Sequence, residues 1–214
     1  MNIRLGIYDF FSRIAPGALY LFAFAQFVSI IGIYQFDWSI LNDLGIVPAL
    51  GLGLLAYFVG TAMDRASMRW HKIFKKGGMS KAQLKSFKEK FEDKWKFDFS
   101  DKEWPVLFAY IRLQNPDLAS EIERNNALGI MLRNVSFGLL LMTINQVITF
   151  FTTFEYVYIA LGVFFLFISI MLGGEAIRFS SWFYAEIFET SLALQLDLKK
   201  RIKQKKQAEE KDED

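Results

Sequence analysis

The chain has 214 residues, 53% of them hydrophobic and 17% aromatic against 22% charged, with a formal net charge of +2 and no cysteine. A soluble domain with that share of charge does not usually carry so much apolar mass, so something other than a water-facing core absorbs it. The missing cysteines exclude a disulfide framework and any thiolate nucleophile or metal site, and the single histidine, His71, leaves imidazole chemistry one candidate.

At the start of the chain Ile3, Ile7, Phe10, Phe11 and Ile14 recur at helical spacing, with Arg4, Asp9 and Arg13 on the other side. This predicts an interfacial amphipathic helix over residues 1–13, followed by a bend into the membrane at Pro16-Gly17. Residues 14–36 contain no Asp, Glu, Lys or Arg. At about 1.5 Å per residue, such a helix crosses a hydrocarbon core of about 30 Å with room for tilt. Ala23-Phe24-Ala25 looks like a signal-peptide cleavage pattern, but apolar character continues to Phe36 and Asp9 sits in what would be a basic leader. The segment therefore reads as a retained anchor. A second uncharged run, 44–63, completes a first transmembrane hairpin over 14–63.

Residues 64–133 read as a helical insert outside the membrane. Gly77-Gly78 is a break, after which Ser80 and Gln83 have capping-box spacing and Leu84, Phe87, Phe91 and Trp95 form one apolar stripe. A second box, Ser100 with Glu103, opens a helix through Val106, Leu107, Tyr110 and Ile111, with Trp104 and Pro105 in its first turn. Asn115-Pro116 ends that helix and caps the next, whose pattern continues through Leu118, Ile122 and Leu128 into a third span. Helices this few and short are not expected to make an independent domain. Their aromatic stripes are expected to bury against headgroups, each other or a neighbouring subunit.

Uncharged runs at 134–154 and 156–174 make a second hairpin over 134–174. Beyond it, Phe183, Ile187, Phe188, Leu192 and Leu194 among charged positions predict a helix over 175–203. Residues 204–214, with Ala208 their one apolar side chain, predict a solvated, disordered tail. None of the four runs shows the alternation of a barrel strand, and backbone groups in lipid must bond internally. The predicted fold class is an all-α membrane protein, with four transmembrane helices in two hairpins, a helical insert and a C-terminal helix.

Charge asymmetry sets the orientation. The connection 37–43 holds two acidic residues and no basic one, and Glu155 is the one charge between spans three and four, whereas Arg65, Arg69, Lys72, Lys75 and Lys76 follow span two and Arg178, Lys199, Lys200 and Arg201 follow span four. The positive-inside rule then puts the N-terminus, the insert and the C-terminus in the cytoplasm, in a multi-pass arrangement in a bacterial inner membrane. Trp38, Tyr34, Tyr156 and Tyr158 fall at the outer interface, and Trp70 and Trp182 at the inner one.

Within the third span Asn134, Gly138, Asn145, Thr149 and Thr152 share one helix face, with Gln146 beside them and Gln26 at similar depth in the first span. Such a stripe does not face lipid. It serves either helix packing, which polar and small residues stabilise by about 0.6 to 2 kcal/mol per polar contact, or a water-lined path. Gly45, Ala49 and Gly53, and separately Gly162, Ser169 and Gly173, make small-residue faces that pack within the chain or seat other protomers. Asp64 and His71, seven residues apart on one side of a helix, suit headgroup anchoring better than hydrolysis, because no second histidine or carboxylate cluster accompanies them. Glu121, Glu123, Arg124 and Arg133 read as a solvated face with i, i+3 pairing rather than a buried ionic cluster.

Arg65, Arg69, Lys72, Lys75 and Lys76 are expected to contact anionic headgroups, at about 1 kcal/mol each. Glu89, Glu92, Asp93 and Asp98 interrupt any uniform nucleic-acid groove, so membrane lipid is the expected partner rather than RNA or DNA. The absence of a phosphate loop, a Ser-His-Asp set, an HExxH motif or zinc spacing predicts no enzyme activity, no cofactor and no metal.

Three local features, Tyr8-Asp9-Phe10-Phe11 leading to Pro16-Gly17, Ala56-Tyr57-Phe58-Val59-Gly60, and Glu121-Ile122-Glu123-Arg124 followed by Met131-Leu132-Arg133-Asn134, resemble those of small four-span bacterial inner-membrane proteins. Some of these are effector or accessory subunits of antiviral systems, including those beside RNA-targeting CRISPR nucleases. The resemblance covers the spans and little of residues 77–115. With the polar stripe and small faces, it implies a self-assembling, non-enzymatic effector that changes membrane permeability as part of a defence system. The alternative is a scaffold or regulatory subunit that docks a cytosolic enzyme. A small transporter or lipid-modifying enzyme comes third, since such sites generally need intramembrane charge.

Overall fold

The computed structural model describes residues 3–36, 39, 45–74, 79–91 and 100–212, with side chains described from residue 10 to residue 194 within those segments. Six helices occur among them: α1 (Ile3–Ile30), α2 (Ile46–His71), α3 (Met79–Phe91), α4 (Trp104–Gln114), α5 (Pro116–Thr153) and α6 (Tyr156–Asp212). Four segments, Phe10–Ile30, Ile46–His71, Pro116–Thr153 and Tyr156–Leu194, are long and apolar enough to cross a membrane. Lys75, Lys76, Trp38, Trp95 and the connection 37–43 lie outside the described residues, except Ser39.

The interfacial helix expected over 1–13 is not a separate element, because α1 runs unbroken through Pro16. Proline removes one helical donor. It is tolerated here at a buried position beside Gly17, where α1 meets α2 most closely. At the other end of the chain α6 stays helical to Asp212, through the stretch where composition suggested a disordered tail. Residues 204–212 are Lys, Gln, Glu, Asp and Ala without Gly or Pro, so nothing in them breaks the helix.

The helix ends follow local chemistry. Asn115 caps α5 as its sequence suggests, its Oδ1 accepting from the Leu118 N–H at 3.2 Å with Pro116 at the first helical position. Of the two capping boxes, Ser100–Glu103 is half made: Glu103 Oε2 accepts from the Ser100 N–H at 3.1 Å, and α4 starts after Glu103. The Ser80 box is not made. Ser80 lies inside α3, and its hydroxyl donates at 2.6 Å to the carbonyl of Asp101.

The chain divides into two compact units: Met1–Lys76 with Asn126–Phe179, and Gly77–Asn125 with Ser180–Asp214. The insert is therefore shorter than the expected 64–133, because residues 64–74 and 126–133 pack within the first unit. Contrary to the sequence expectation, the second unit has its own core. Leu84 and Phe87 of α3 pack with Phe188 and Leu192 of α6. Ile111 of α4 packs with Ala119 and Ile122 of α5 and with Phe183 and Ile187 of α6. The short helices gain a domain because the ends of two long helices supply the surface that α3 and α4 cover. Trp104 lies edge-on to both Phe183 and Tyr184 at 5.6 and 5.5 Å. Ion pairs Lys90–Glu189 at 3.1 Å and Arg112–Glu123, with a 3.1 Å bond from Asn125 to Glu186, tie its edges.

Candidate functional site: the polar seams of the apolar bundle

In the first unit the helices meet along seams of small and polar residues. At the α1–α2 crossing there is no room for side chains. A Cβ added at Gly17 would collide with the carbonyl of Ala56 and lie 3.0 Å from the Gly60 nitrogen, and a Cβ at Gly60 would collide with the carbonyl of Arg13. Phe10 stacks on Tyr57 at 5.5 Å beside this crossing, and Arg13 donates to the Thr61 hydroxyl at 3.4 Å.

Asn134 and Asn145 lie on the face of α5 that meets α1 and α2. Tyr20 donates to the Asn134 carbonyl at 2.7 Å, and the Asn134 side chain bonds Ser67 and, at 3.3 Å, Asp64. Asp64 forms an ion pair with Arg133. Further along, Asn145 donates to the Ala23 carbonyl at 2.7 Å and to Gln26 Oε1 at 3.3 Å. Thr149 donates at 2.9 Å to the Asn145 carbonyl within its own helix.

A second face of α5 meets α6. Ser136 donates to the Ser169 carbonyl at 2.7 Å and Ser169 to the Ser136 carbonyl at 2.6 Å, while Trp70 Nε1 donates to the Ser136 hydroxyl at 3.0 Å. Gly162 lies against Gln146, and Gly173 receives the ring of Phe74. The Gly162, Ser169 and Gly173 face is thus a packing seam within the chain. The Gly45, Ala49 and Gly53 face is not: these positions have little around them, and a Cβ at Gly53 would meet nothing within 4 Å.

The structure therefore brings Gln26 to Asn145 and buries Asn134, Asn145 and Gln146 between helices of one chain. The Oε1 of Gln146 and the Nε of Arg133 are buried without a hydrogen-bond partner among the described residues. Arg65, Arg69 and Lys72 are exposed. Sequence reasoning overlooked the partners of the stripe: Tyr20, Ser67, Trp70 and Ser136. It also assigned Asp64 to headgroups, whereas Asp64 turns inward to Arg133. The available signal was the i, i+3, i+7 spacing of Asp64, Ser67 and His71, which aligns them on one face of α2; Ser67 and His71 are buried and Asp64 is partly so. Glu121 and Arg124 do pair at i, i+3, 3.6 Å apart on the surface.

These contacts join helices of one chain. Among the described residues no group of three His, Asp or Glu side chains could hold a metal ion. Two grooves are lined almost wholly by apolar residues: one of about 520 Å³ among α1, α5 and Val59 and Met63 of α2, and one of about 480 Å³ between α1 and Leu52, Gly53, Leu55 and Ala56 of α2.

The fold and its polar seams define an all-α helical bundle consistent with a small polytopic membrane protein. Comparison with models of protein families, with curated proteins and with solved structures finds no match to this chain. Nothing in those comparisons links it to a defence system.

Proposed function

We propose that this chain is a non-enzymatic, membrane-anchored docking subunit. Its apolar bundle fixes it in a bacterial inner membrane, and its second helical unit, on the cytoplasmic side, holds a soluble protein there. One observation carries the reading. In the aqueous unit α4 buries Ile111 but leaves Val106 (69% exposed), Ala109 and Leu113 (82% exposed) uncovered by any described residue, at i, i+3, i+7 spacing. A stripe of that kind on a folded, water-facing unit suits a partner surface. The exposed Arg65, Arg69 and Lys72 support the cytoplasmic orientation and contact with anionic lipid.

The test is photo-crosslinking in cells from Val106 and Leu113 of the full chain, with Val106→Asp/Leu113→Asp as its partner-loss variant. One soluble protein should be captured from both positions and lost in the double variant while membrane insertion is unchanged. No discrete adduct from either position would remove the proposal. A label at Lys81 reached only from outside the cell would remove its orientation.

A second reading, a self-assembling component that alters permeability, draws on the first half of α2, where Ile46, Val47, Leu50 and Leu54 are exposed and a Cβ at Gly51 would enter open space. An unchanged membrane potential on overexpression, with the protein monomeric in nanodiscs, would dismiss it.

A further inference from the structure

The buried residues of α2 are Ala56, Gly60, Ser67 and His71, none of them before residue 56. The first part carries Ile46 at 81% and Val47 at 79% exposure, and a Cβ at Gly51 or Gly53 would meet no atom within 4 Å. A groove of about 480 Å³ separates that part, at Leu52, Gly53 and Leu55, from α1. Where α2 first touches another helix, the contact is backbone on backbone at Gly17 and Gly60, and the Phe10–Tyr57 stack and the Arg13–Thr61 hydrogen bond flank it and hold the crossing in place. Beyond that crossing α2 side chains bond to α5 at Asp64 with Arg133 and Asn134, Ser67 with Asn134, and Trp70 with Ser136.

We infer that α2 is a lever, with its pivot at the Gly17–Gly60 crossing, its latch at Asp64–Arg133, and its first part able to swing into the groove beside α1. Asp64 lies four residues past the pivot and Leu50 ten before it, so at 1.5 Å per residue the arms are about 6 and 15 Å. An opening at the latch is then multiplied about 2.5-fold at Leu50. The latch is chemically suited to two states. In apolar surroundings an ion pair holds firmly while both partners are present, and removal of either leaves a charge that must move toward water. The inference concerns the bundle alone and is independent of what the second unit docks.

The chain has no cysteine, so engineered pairs report cleanly. Spin labels at Leu50 and Ile144, both exposed, read the distance from the arm to α5 in nanodiscs, and a Phe24–Ile144 pair on α1 and α5 serves as the control. Wild type should give one narrow Leu50–Ile144 distribution. Asp64→Asn and Arg133→Gln should shift or broaden it by several Å, roughly 2.5 times any opening at residue 64. Asp64→Glu should restore it, and the control pair should not move. The lever is overturned if both latch variants leave the Leu50–Ile144 distribution as in wild type, or if the control pair shifts equally. Should the charge variants fail to accumulate, Trp70→Phe removes one neutral bond of the same latch. It should give a smaller shift in the same direction, and no shift would overturn the lever.

Discussion

The phenol of Tyr20 in α1 donates to the backbone carbonyl of Asn134 in α5 at 2.7 Å, and both residues are buried. Asn134 spends its side chain on Ser67 and Asp64 of α2, so this one residue joins three helices. Tyr20→Phe removes a donor whose acceptor still sits in the helical ladder, so the expected cost is about 0.6–1.5 kcal/mol in mixed-micelle unfolding. Tyr20→Ala also loses packing against Phe137 and Gly138 and should cost about 2–5 kcal/mol. Equal effects of the two would show that the ring packing contributes nothing.

Gly17 and Gly51 are both helical glycines in membrane-length segments, yet they should respond in opposite ways. Gly17→Leu forces α1 and α2 apart at a backbone contact and should destabilise by about 1–3 kcal/mol or more. Gly51→Leu enters open space and should be neutral within about 0.5 kcal/mol, or stabilising through helix propensity. Unfolding of the two variants side by side checks this, and a Gly17 variant as stable as wild type contradicts the crossing.

Ser136 and Ser169 each donate to the other's carbonyl, a reciprocal pair 33 residues apart in sequence. Each acceptor is a backbone carbonyl that alanine keeps, so Ser136→Ala and Ser169→Ala should each cost about 0.6–1.7 kcal/mol and add in the double variant. A coupling well above about 0.5 kcal/mol in the double-mutant cycle would show that the hydroxyls depend on each other instead.

Phe188 is fully buried against Leu84 and Phe87 in the second unit. Phe188→Ala should cost that unit about 3–5 kcal/mol. The loss should appear in hydrogen exchange as reduced protection of α3, which has few other apolar anchors. Unchanged protection across 79–91 would show that α3 is held by something other than this core.

The helices themselves were legible because their causes are local. Uncharged runs of membrane length, Pro116 behind a capping Asn115 and the apolar positions of α6 all point to helix without knowledge of any neighbour. The stripe from Asn134 to Thr149 was legible for the same reason, since residues at helical spacing share a face whatever lies opposite. Its partners were not. Tyr20, Ser67, Trp70 and Ser136 look ordinary in sequence, and only the crossing angles of the helices bring them to Asn134 and Ser169. Asp64 shows the limit of local reading: a carboxylate at the end of an apolar run suits headgroups as well as it suits a buried arginine, and the choice depends on where α5 puts Arg133.

The sequence by itself determined that this chain is helical, which stretches are apolar enough for lipid, and which residues of α5 turn away from it. Tertiary structure alone decided that the inserted helices close a core on α5 and α6, that α1 and α2 cross at Gly17 and Gly60, and that the polar stripe is bonded within one chain. The physical reason is range. Helix formation and hydropathy are properties of a few consecutive residues, whereas burial and bonding of a side chain depend on groups brought from 33 to 122 residues away.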